Sequence, residues 1–204
     1  MVNEMMKRLI DLVMGRSRVL INEGERAIWL YQGQVQGILE PGEQVLKNRD
    51  GSAELERLKL SQLLFMSVYE QAVLDKLDED VARHLTIVRT GENEIAIIER
   101  DGLLNTVLAP DTKLVVWTDA GPWKATVVDI SDSARVDPKL LKRLQKAGKV
   151  QQVTVVEVDE GKMALVSIDG QLTDRLGAGV YGYWNAGRKI GVKLIDLTRQ
   201  SLDV

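Results

Sequence analysis

Three glycines in the last third of the chain have the spacing of a phosphate-binding loop. Gly177, Gly179 and Gly182 form G-x-G-x-x-G, the pattern in which the N-terminus of a helix holds a pyrophosphate. That chemistry requires a helix that begins at the third glycine. The residues after Gly182 read YWNAGRKIGVKLIDL, which is strand-like and contains two more glycines. We therefore predict that the three glycines belong to a structural turn.

Other catalytic chemistry has little support in the residue types. His84 is the only histidine and there is no cysteine. A single imidazole can act as a general base, but no G-x-S-x-G sequence accompanies it, so we interpret His84 as a surface or packing residue. The acidic residues lie in turns without calcium-loop spacing. We predict no catalytic residue, no cofactor and no metal site; the alternative is a small-ligand-binding protein or a hydrolase that uses two carboxylates brought together by the fold.

Two segments have the side chains of contact surfaces. Four basic residues lie at helical spacing after Asp137-Pro138: Lys139, Lys142, Arg143 and Lys146. Six apolar residues form a stripe along the predicted first helix: Val2, Met5, Met6, Leu9, Ile10 and Val13. The basic stripe fits a solvated helix face, or contact with lipid headgroups or an acidic partner. The apolar stripe fits docking on the first β unit or a neighbouring subunit, or a membrane interface.

Three segments of the chain repeat one pattern. They begin at Glu23, Gly91 and Asp159, and each has an apolar run, a two-residue turn ending in glycine, and a leucine six residues later. The turns are Gln32-Gly33, Asp101-Gly102 and Asp169-Gly170, and the leucines are Leu39, Leu108 and Leu176. Such turns between apolar runs are strong hairpin signals, so each segment predicts a small β unit.

Helical segments connect the predicted β units. Asp137 at the N-cap, Pro138 at the first helical position and Gly148 after the end predict the second connector. The first connector is predicted over about residues 61–78, apolar around much of its circumference. The fold class is mainly β with helical connectors (α+β): three small repeated β units joined by two helices, with a short amino-terminal helix. The predicted segments are 1–15 for the leading helix, 16–60, 83–134 and 149–204 for the repeats, and 61–82 and 135–148 for the connectors.

Composition narrows the classes of partner. The net charge of −3 gives no global attraction to nucleic acid or anionic lipid, and we expect no nucleic-acid partner. No signal peptide is recognisable, and no run approaches the roughly 18 apolar residues of a spanning helix. We expect a chain that does not cross a membrane by itself and has a cytoplasmic location.

The repeats carry a resemblance to a known family. The segment from residue 155 to the end resembles the amino-terminal region of bacterial slipins, the stomatin-like branch of the SPFH (band 7) family. It has the family's GE-type turn at Gly161, its DG turn at 169–170, Tyr181, Trp184 and the closing run DLTRQSLDV. Ala178 stands where the family pattern usually has proline. In such relatives the closing run leads into the band 7 domain.

The resemblance implies a function in membrane-associated scaffolding. SPFH proteins form oligomeric assemblies on membranes and organise or regulate their neighbours, often membrane proteases, and the family supplies no catalytic residues. The chain is then the front portion of a longer slipin or a protein that keeps only the repeats. We expect a non-enzymatic protein-interaction module with protein partners, self-association and peripheral membrane contact at the inner face of the plasma membrane.

Overall fold

The structure is mainly β with short helices. It is a computed structural model that describes residues 4–198; the side chains of Glu4, Met5, Arg8 and Leu9 lie outside that description. Within the described part there are 15 strands in six sheets of two or three strands and four α-helices. The coarse prediction of a mainly β chain with helices is confirmed.

The first repeat contains a helix and five strands. They are α1 (Glu4–Val13), β1 (Arg16–Ile21), β2 (Glu25–Tyr31), β3 (Gln34–Leu39), β4 (Gly42–Lys47) and β5 (Ala53–Lys59). The first and fourth strands pair as a two-stranded ribbon, and the second strand pairs with both the third and the fifth. We call these ribbon 1 (β1, β4) and sheet 1 (β3, β2, β5).

The second and third repeats have the same pairing. The second contains α2 (Glu70–Lys76), α3 (Asp78–His84), β6 (Leu85–Arg89), β7 (Glu94–Arg100), β8 (Leu103–Leu108), β9 (Lys113–Trp117) and β10 (Trp123–Asp129). The third contains α4 (Pro138–Lys146), β11 (Val153–Val158), β12 (Lys162–Ile168), β13 (Gln171–Leu176), β14 (Gly179–Trp184) and β15 (Ile190–Asp196). The second repeat therefore forms ribbon 2 (β6, β9) and sheet 2 (β8, β7, β10), and the third forms ribbon 3 (β11, β14) and sheet 3 (β13, β12, β15).

The hairpin turns form where the sequence predicts them. Both residues of each turn have positive φ, for example 52° at Asp101 and 74° at Gly102, which is the backbone of a type I′ turn. Each hairpin also has one register irregularity at the same distance from its turn, at Trp29/Leu30, Ile98/Glu99 and Val166/Ser167. The bulge increases the local twist of the hairpin, so the three sheets share this local distortion as well as their pairing.

The repeat arrangement is confirmed only in part. Strand pairing recurs three times, yet the chain divides into two compact units: residues up to Ile87 with Leu114–Trp123, and Val88–Lys113 with Lys124 onward. The first unit has one core, which includes Ile28, Phe65 and Trp117. The second has two, one around Leu144 and Trp184 and one around Ala164 and Tyr183. The segment boundaries predicted from the sequence stay a prediction.

The first connector differs from the predicted helix. In place of one helix over 61–78, the chain forms a single 3-10 turn at Leu60–Gln62, then an irregular stretch, then α2 and α3. Leu64 makes an isolated β-bridge to Val116 and the Phe65 N–H donates to the Val115 carbonyl at 2.9 Å. The backbone of this segment thus satisfies its hydrogen bonds by pairing with β9 instead of with itself.

The second connector forms as predicted. The Asp137 side chain accepts hydrogen bonds from the N–H groups of Lys139 and Leu140, and Pro138 occupies the first turn of α4. Gly148 follows the helix with a φ of 65°, the left-handed conformation that ends many helices. Leu141 and Leu144 are buried, so their face of α4 packs in a core of the second unit.

The three glycines of the G-x-G-x-x-G pattern lie in and beside a strand-connecting turn. No helix begins at Gly182, which is inside β14. Gly179 has a φ of 149°, and the residues at the same place after the other two hairpins, Gly42 and Asp111, also have positive φ. A Cβ on Gly182 would lie 2.8 Å from Leu141 Cδ1 and 3.2 Å from Val136 Cβ. Gly182 is therefore required for close packing under α4.

Substitution of single glycines in this pattern separates packing from turn formation. We expect Gly182→Ala to destabilise the protein by about 1–3 kcal/mol, since an added methyl group overpacks the contact with Leu141. Gly177→Ala is the matched control, because a Cβ there meets nothing within 4 Å, and its effect should stay within about 0.5 kcal/mol. Urea unfolding followed by tryptophan fluorescence measures both. Equal effects of the two substitutions would contradict this account.

Candidate functional site

The apolar residues of α1 that the structure describes are exposed. Met6, Ile10 and Val13 are 55 %, 48 % and 80 % exposed, and the neighbouring Leu12 and Met14 are 77 % and 56 % exposed. Of the remaining residues of the predicted stripe, Val2 lies outside the described residues, as do the side chains of Met5 and Leu9. The described part of α1 therefore presents apolar side chains to solvent.

A polar contact holds α1 against β1. Among the side chains of α1 that the structure describes, Asp11 is buried, 5 % exposed, and its carboxylate accepts a hydrogen bond from Arg18 Nε. Arg18 also donates to Glu43 of β4, and these two carboxylates raise the pKa of its guanidinium. Gly15 makes the turn between helix and strand, where a Cβ would lie 2.8 Å from the Arg49 Cα. The described contact between α1 and β1 is therefore made by the polar side of the helix.

The outer face of ribbon 1 combines cations with two exposed apolar side chains. Cross-strand neighbours in the ribbon are Arg16 with Lys47, Arg18 with Val45, and Leu20 with Glu43. Leu20 and Val45 are 63 % and 45 % exposed. Met14, Arg16, Val45, Lys47 and Arg49 together line one shallow cleft beside the end of α1. We call the exposed side chains of α1 together with this face the amino-terminal surface.

The four basic residues of the α4 stripe differ in their contacts. Lys139, Lys142 and Lys146 are exposed, as a solvated helix face would be. Arg143 instead donates to Glu99 of β7, whose side chain is only 12 % exposed. This hydrogen bond lowers the pKa of Glu99 against the opposing effect of its partial burial. One member of the stripe therefore ties α4 to sheet 2 and three remain available for contact.

His84 is a packing residue of the first unit. It is 3 % exposed, at the end of α3, and its Nε2 lies 3.7 Å from Glu40 Oε1. Burial lowers the pKa of His84 below its ordinary value of 6.5. Three further charged groups act on its pKa: Asp80 on α3, Arg26 on β2 and Asp119 near β10. The carboxylates oppose the effect of burial, and Arg26 adds to it.

One polar cleft in the second unit is lined by several carboxylates. Its volume is about 640 Å³ and its lining includes Asp132, Asp169, Asp174, Tyr183 and Arg135. The Tyr183 hydroxyl donates to Asp174 at 2.6 Å, and the Lys189 N–H donates to Asp169 at 2.8 Å. These two carboxylates have structural partners. Among residues 4–198, no cluster of three or more acidic or histidine side chains could hold a metal ion.

Comparisons with known proteins give no relative. No protein-family model matches the chain, and neither a curated protein nor a solved structure matches it significantly. The resemblance to slipins therefore stays a prediction. No helix in the described part of the chain has the length and apolar character needed to cross a membrane.

Sequence reasoning missed the contacts that join distant residues. The Arg143–Glu99 pair spans 44 positions, and nothing in the helical spacing distinguishes Arg143 from the three lysines beside it. The Asp11–Arg18 contact is closer in sequence, and an acidic residue between the apolar residues Ile10 and Leu12 was its available signal.

The two kinds of basic residue on α4 differ in their contribution to stability. We expect Arg143→Ala to lower the free energy of unfolding by about 1 kcal/mol, because it leaves the Glu99 carboxylate half-buried without its main partner. Lys142→Ala, on the adjacent exposed position, should change it by less than about 0.5 kcal/mol. Chemical denaturation of the two variants provides the comparison. A larger loss for Lys142→Ala would show that the ion pair is not formed in solution.

Stability should depend on the protonation of His84. Since its pKa is lowered on folding, the unfolded chain binds more protons in the range between the folded pKa and 6.5. The free energy of unfolding is then highest above about pH 6.5 and falls as the pH decreases below it. His84→Gln should reduce that dependence. Because His84 is the only histidine, its ring proton gives the pKa directly by NMR, and a folded pKa above the unfolded one would contradict the prediction.

Proposed function

We propose that this chain is a non-enzymatic scaffold module that attaches to anionic membrane surfaces through its amino-terminal surface. The observation that carries the proposal is the exposure of apolar side chains on α1 next to the cations of ribbon 1. Exposed apolar residues scattered singly need no explanation. Here five of them lie within nine residues, from Met6 in α1 to Met14 directly after it, and the buried contact described for this helix, that of Asp11, is polar.

The geometry suits the interface of a lipid bilayer. Met6, Ile10 and Val13 are spaced by four and three residues, so they share one face of α1. An interfacial helix buries such a face at the boundary of headgroups and acyl chains while nearby cations meet anionic headgroups. Arg16, Lys47 and Arg49 are exposed beside the end of the helix. Because the net charge is −3, this attraction has to be local.

The scaffold part of the proposal rests on the resemblance to slipins and on the repeats. Small sheets with several separate faces offer surfaces for protein contact. We extend the expectation from SPFH relatives to this chain: self-association, and protein partners that include membrane proteases. The three exposed lysines of α4 form a second basic surface for acidic partners.

Vesicle flotation tests the attachment. The full chain should float with vesicles that contain phosphatidylserine and much less with pure phosphatidylcholine. Ile10→Asp and Val13→Asp should each abolish flotation. Leu103→Asp is the matched control, since Leu103 is 74 % exposed and lies at the start of β8, and it should float like the original chain.

Removing cations from the amino-terminal surface should weaken vesicle binding without abolishing it. Replacing Arg16 and Lys47 together by glutamine should weaken binding to the anionic vesicles by about 30-fold, at about 1 kcal/mol for each cation. Added salt should weaken binding of the original chain in the same way. Flotation that is unchanged in Ile10→Asp and in the double glutamine variant would refute attachment through this surface.

A further inference from the structure

The outer face of sheet 1 is covered by the helices that follow it. Ile28 and Leu30 of β2 are buried, 0 % and 2 % exposed, and belong to the same core as Val73 of α2. Partly buried side chains of α2 and α3, including Leu77 and Val81, pack against that core, as do Leu85 and Trp117 of ribbon 2. A helix pair and the next ribbon thus close this face.

Sheet 2 is covered in the same way. Ile95 and Ile97 of β7 are 0 % and 6 % exposed and share a core with Leu141 and Leu144 of α4. Val153 and Trp184 of ribbon 3 complete that core. In both repeats, an amphipathic helix and the following ribbon bury the outer face of the sheet.

The corresponding face of sheet 3 is open within the described residues. By distance from the hairpin glycine, Met163 and Leu165 of β12 take the places of Ile95 and Ile97. Both are only half-buried, Leu172 on the neighbouring strand is 56 % exposed, and Ile195, opposite Met163, is half-buried. None of these four side chains belongs to a core of the described structure. We call this apolar row the outer face of sheet 3.

Two cations stand beside the apolar row. Leu165 pairs across the ladder with Arg175 on β13 and with Lys193 on β15. Cross-strand neighbours lie on the same face of a sheet, so both cations belong to the outer face. Both are exposed, and neither forms an ion pair in the described part of the chain. Whatever covers this face needs acidic side chains next to apolar ones.

The first repeat gives a precedent for where an acid would lie. Asp80 of the covering helix α3 accepts a hydrogen bond from the Ile38 N–H at 2.9 Å. Ile38 directly precedes the repeat leucine Leu39, as Arg175 directly precedes Leu176. The position of Ile38 in sheet 1, which contacts a carboxylate of the covering helix, is thus occupied by Arg175 in sheet 3. A carboxylate at the same place on a helix that covers sheet 3 would form an ion pair with Arg175.

We propose that the outer face of sheet 3 binds an amphipathic α-helix of a partner protein, one that carries acidic side chains beside its apolar stripe. Twice in this chain the equivalent face receives a helix, and Arg175 and Lys193, which form no ion pair with any described residue, specify the charge of the helix. The inference deepens the scaffold function proposed above by naming the kind of partner. It does not require membrane attachment, so peptide binding in solution and vesicle flotation fail independently.

Two peptides from the chain itself provide matched probes. Residues 68–84, the α2–α3 segment, contain five acidic residues, two lysine or arginine residues and one histidine, and residues 137–149, the α4 segment, contain one acidic and five basic residues. In the full chain both parent segments are already packed, which leaves the outer face of sheet 3 for added peptide. Fluorescence anisotropy should show that the labelled 68–84 peptide binds the full chain and that the 137–149 peptide binds at least about tenfold more weakly.

Substitutions on the outer face of sheet 3 test whether the peptide binds there. The double substitution Arg175→Glu and Lys193→Glu, both at exposed positions, should reverse the preference so that the 137–149 peptide binds better. Leu165→Asp should abolish binding of both peptides, and Leu103→Asp should have no effect. Circular dichroism checks that each variant is folded. Absence of binding by the 68–84 peptide, a preference that survives the charge reversal, or self-association lost in the charge-reversed variant would overturn the proposal.

Discussion

The fold depends on one alanine–leucine pair that recurs in each repeat. The alanines occupy the same place in the three central strands and are all 0 % exposed: Ala27, Ala96 and Ala164. Each pairs across the ladder with the repeat leucine: Leu39, Leu108 and Leu176. In the third repeat this pair packs with Val156 and Val158 of β11 and with Tyr183 of β14. A larger residue at Ala164 would overpack this contact, so the small side chain sets how closely ribbon 3 and sheet 3 approach.

A central strand can be buried on one face or on both, and its residue pattern differs accordingly. In β7, Ile95, Ala96, Ile97 and Ile98 are all buried in succession. Such a strand is hydrophobic without alternation, as is usual for strands covered on both sides. In β12 only one face is covered by the described residues, and there the buried residues Ala164 and Val166 alternate with half-buried ones. The difference in patterning between β7 and β12 reflects the difference in what packs on their outer faces.

Much of the fold could be predicted because it depends on local sequence signals. Contacts between residues that are distant in the sequence could not be predicted. The hairpin turns and the caps of α4 depend on residues within a few positions of one another, so the sequence identifies them. The prediction for segment 61–78 was wrong because leucines on all sides of a helix are typical of a buried helix. In the structure these leucines lie in an irregular stretch that pairs with β9 and in two shorter helices. For the amino-terminal surface, the apolar stripe was visible in the sequence. The exposure of its described members, Met6, Ile10 and Val13, was not visible, because α1 contacts β1 through Asp11 on its polar side.

The two ends of the repeat series differ in polarity. In ribbon 3 the outermost pair is Val153 with Trp184, which covers sheet 2, whereas in ribbon 1 the same positions are Arg16 and Lys47. The end of ribbon 1 is therefore cationic where ribbon 3 is apolar, while sheet 3 has an apolar outer face that no described residue covers. Ribbon 1 and sheet 3 both carry cations, Arg16 and Lys47 on one and Arg175 and Lys193 on the other, so stacking two copies through these faces would bring like charges together. The proposed partner of sheet 3 is accordingly one of opposite charge.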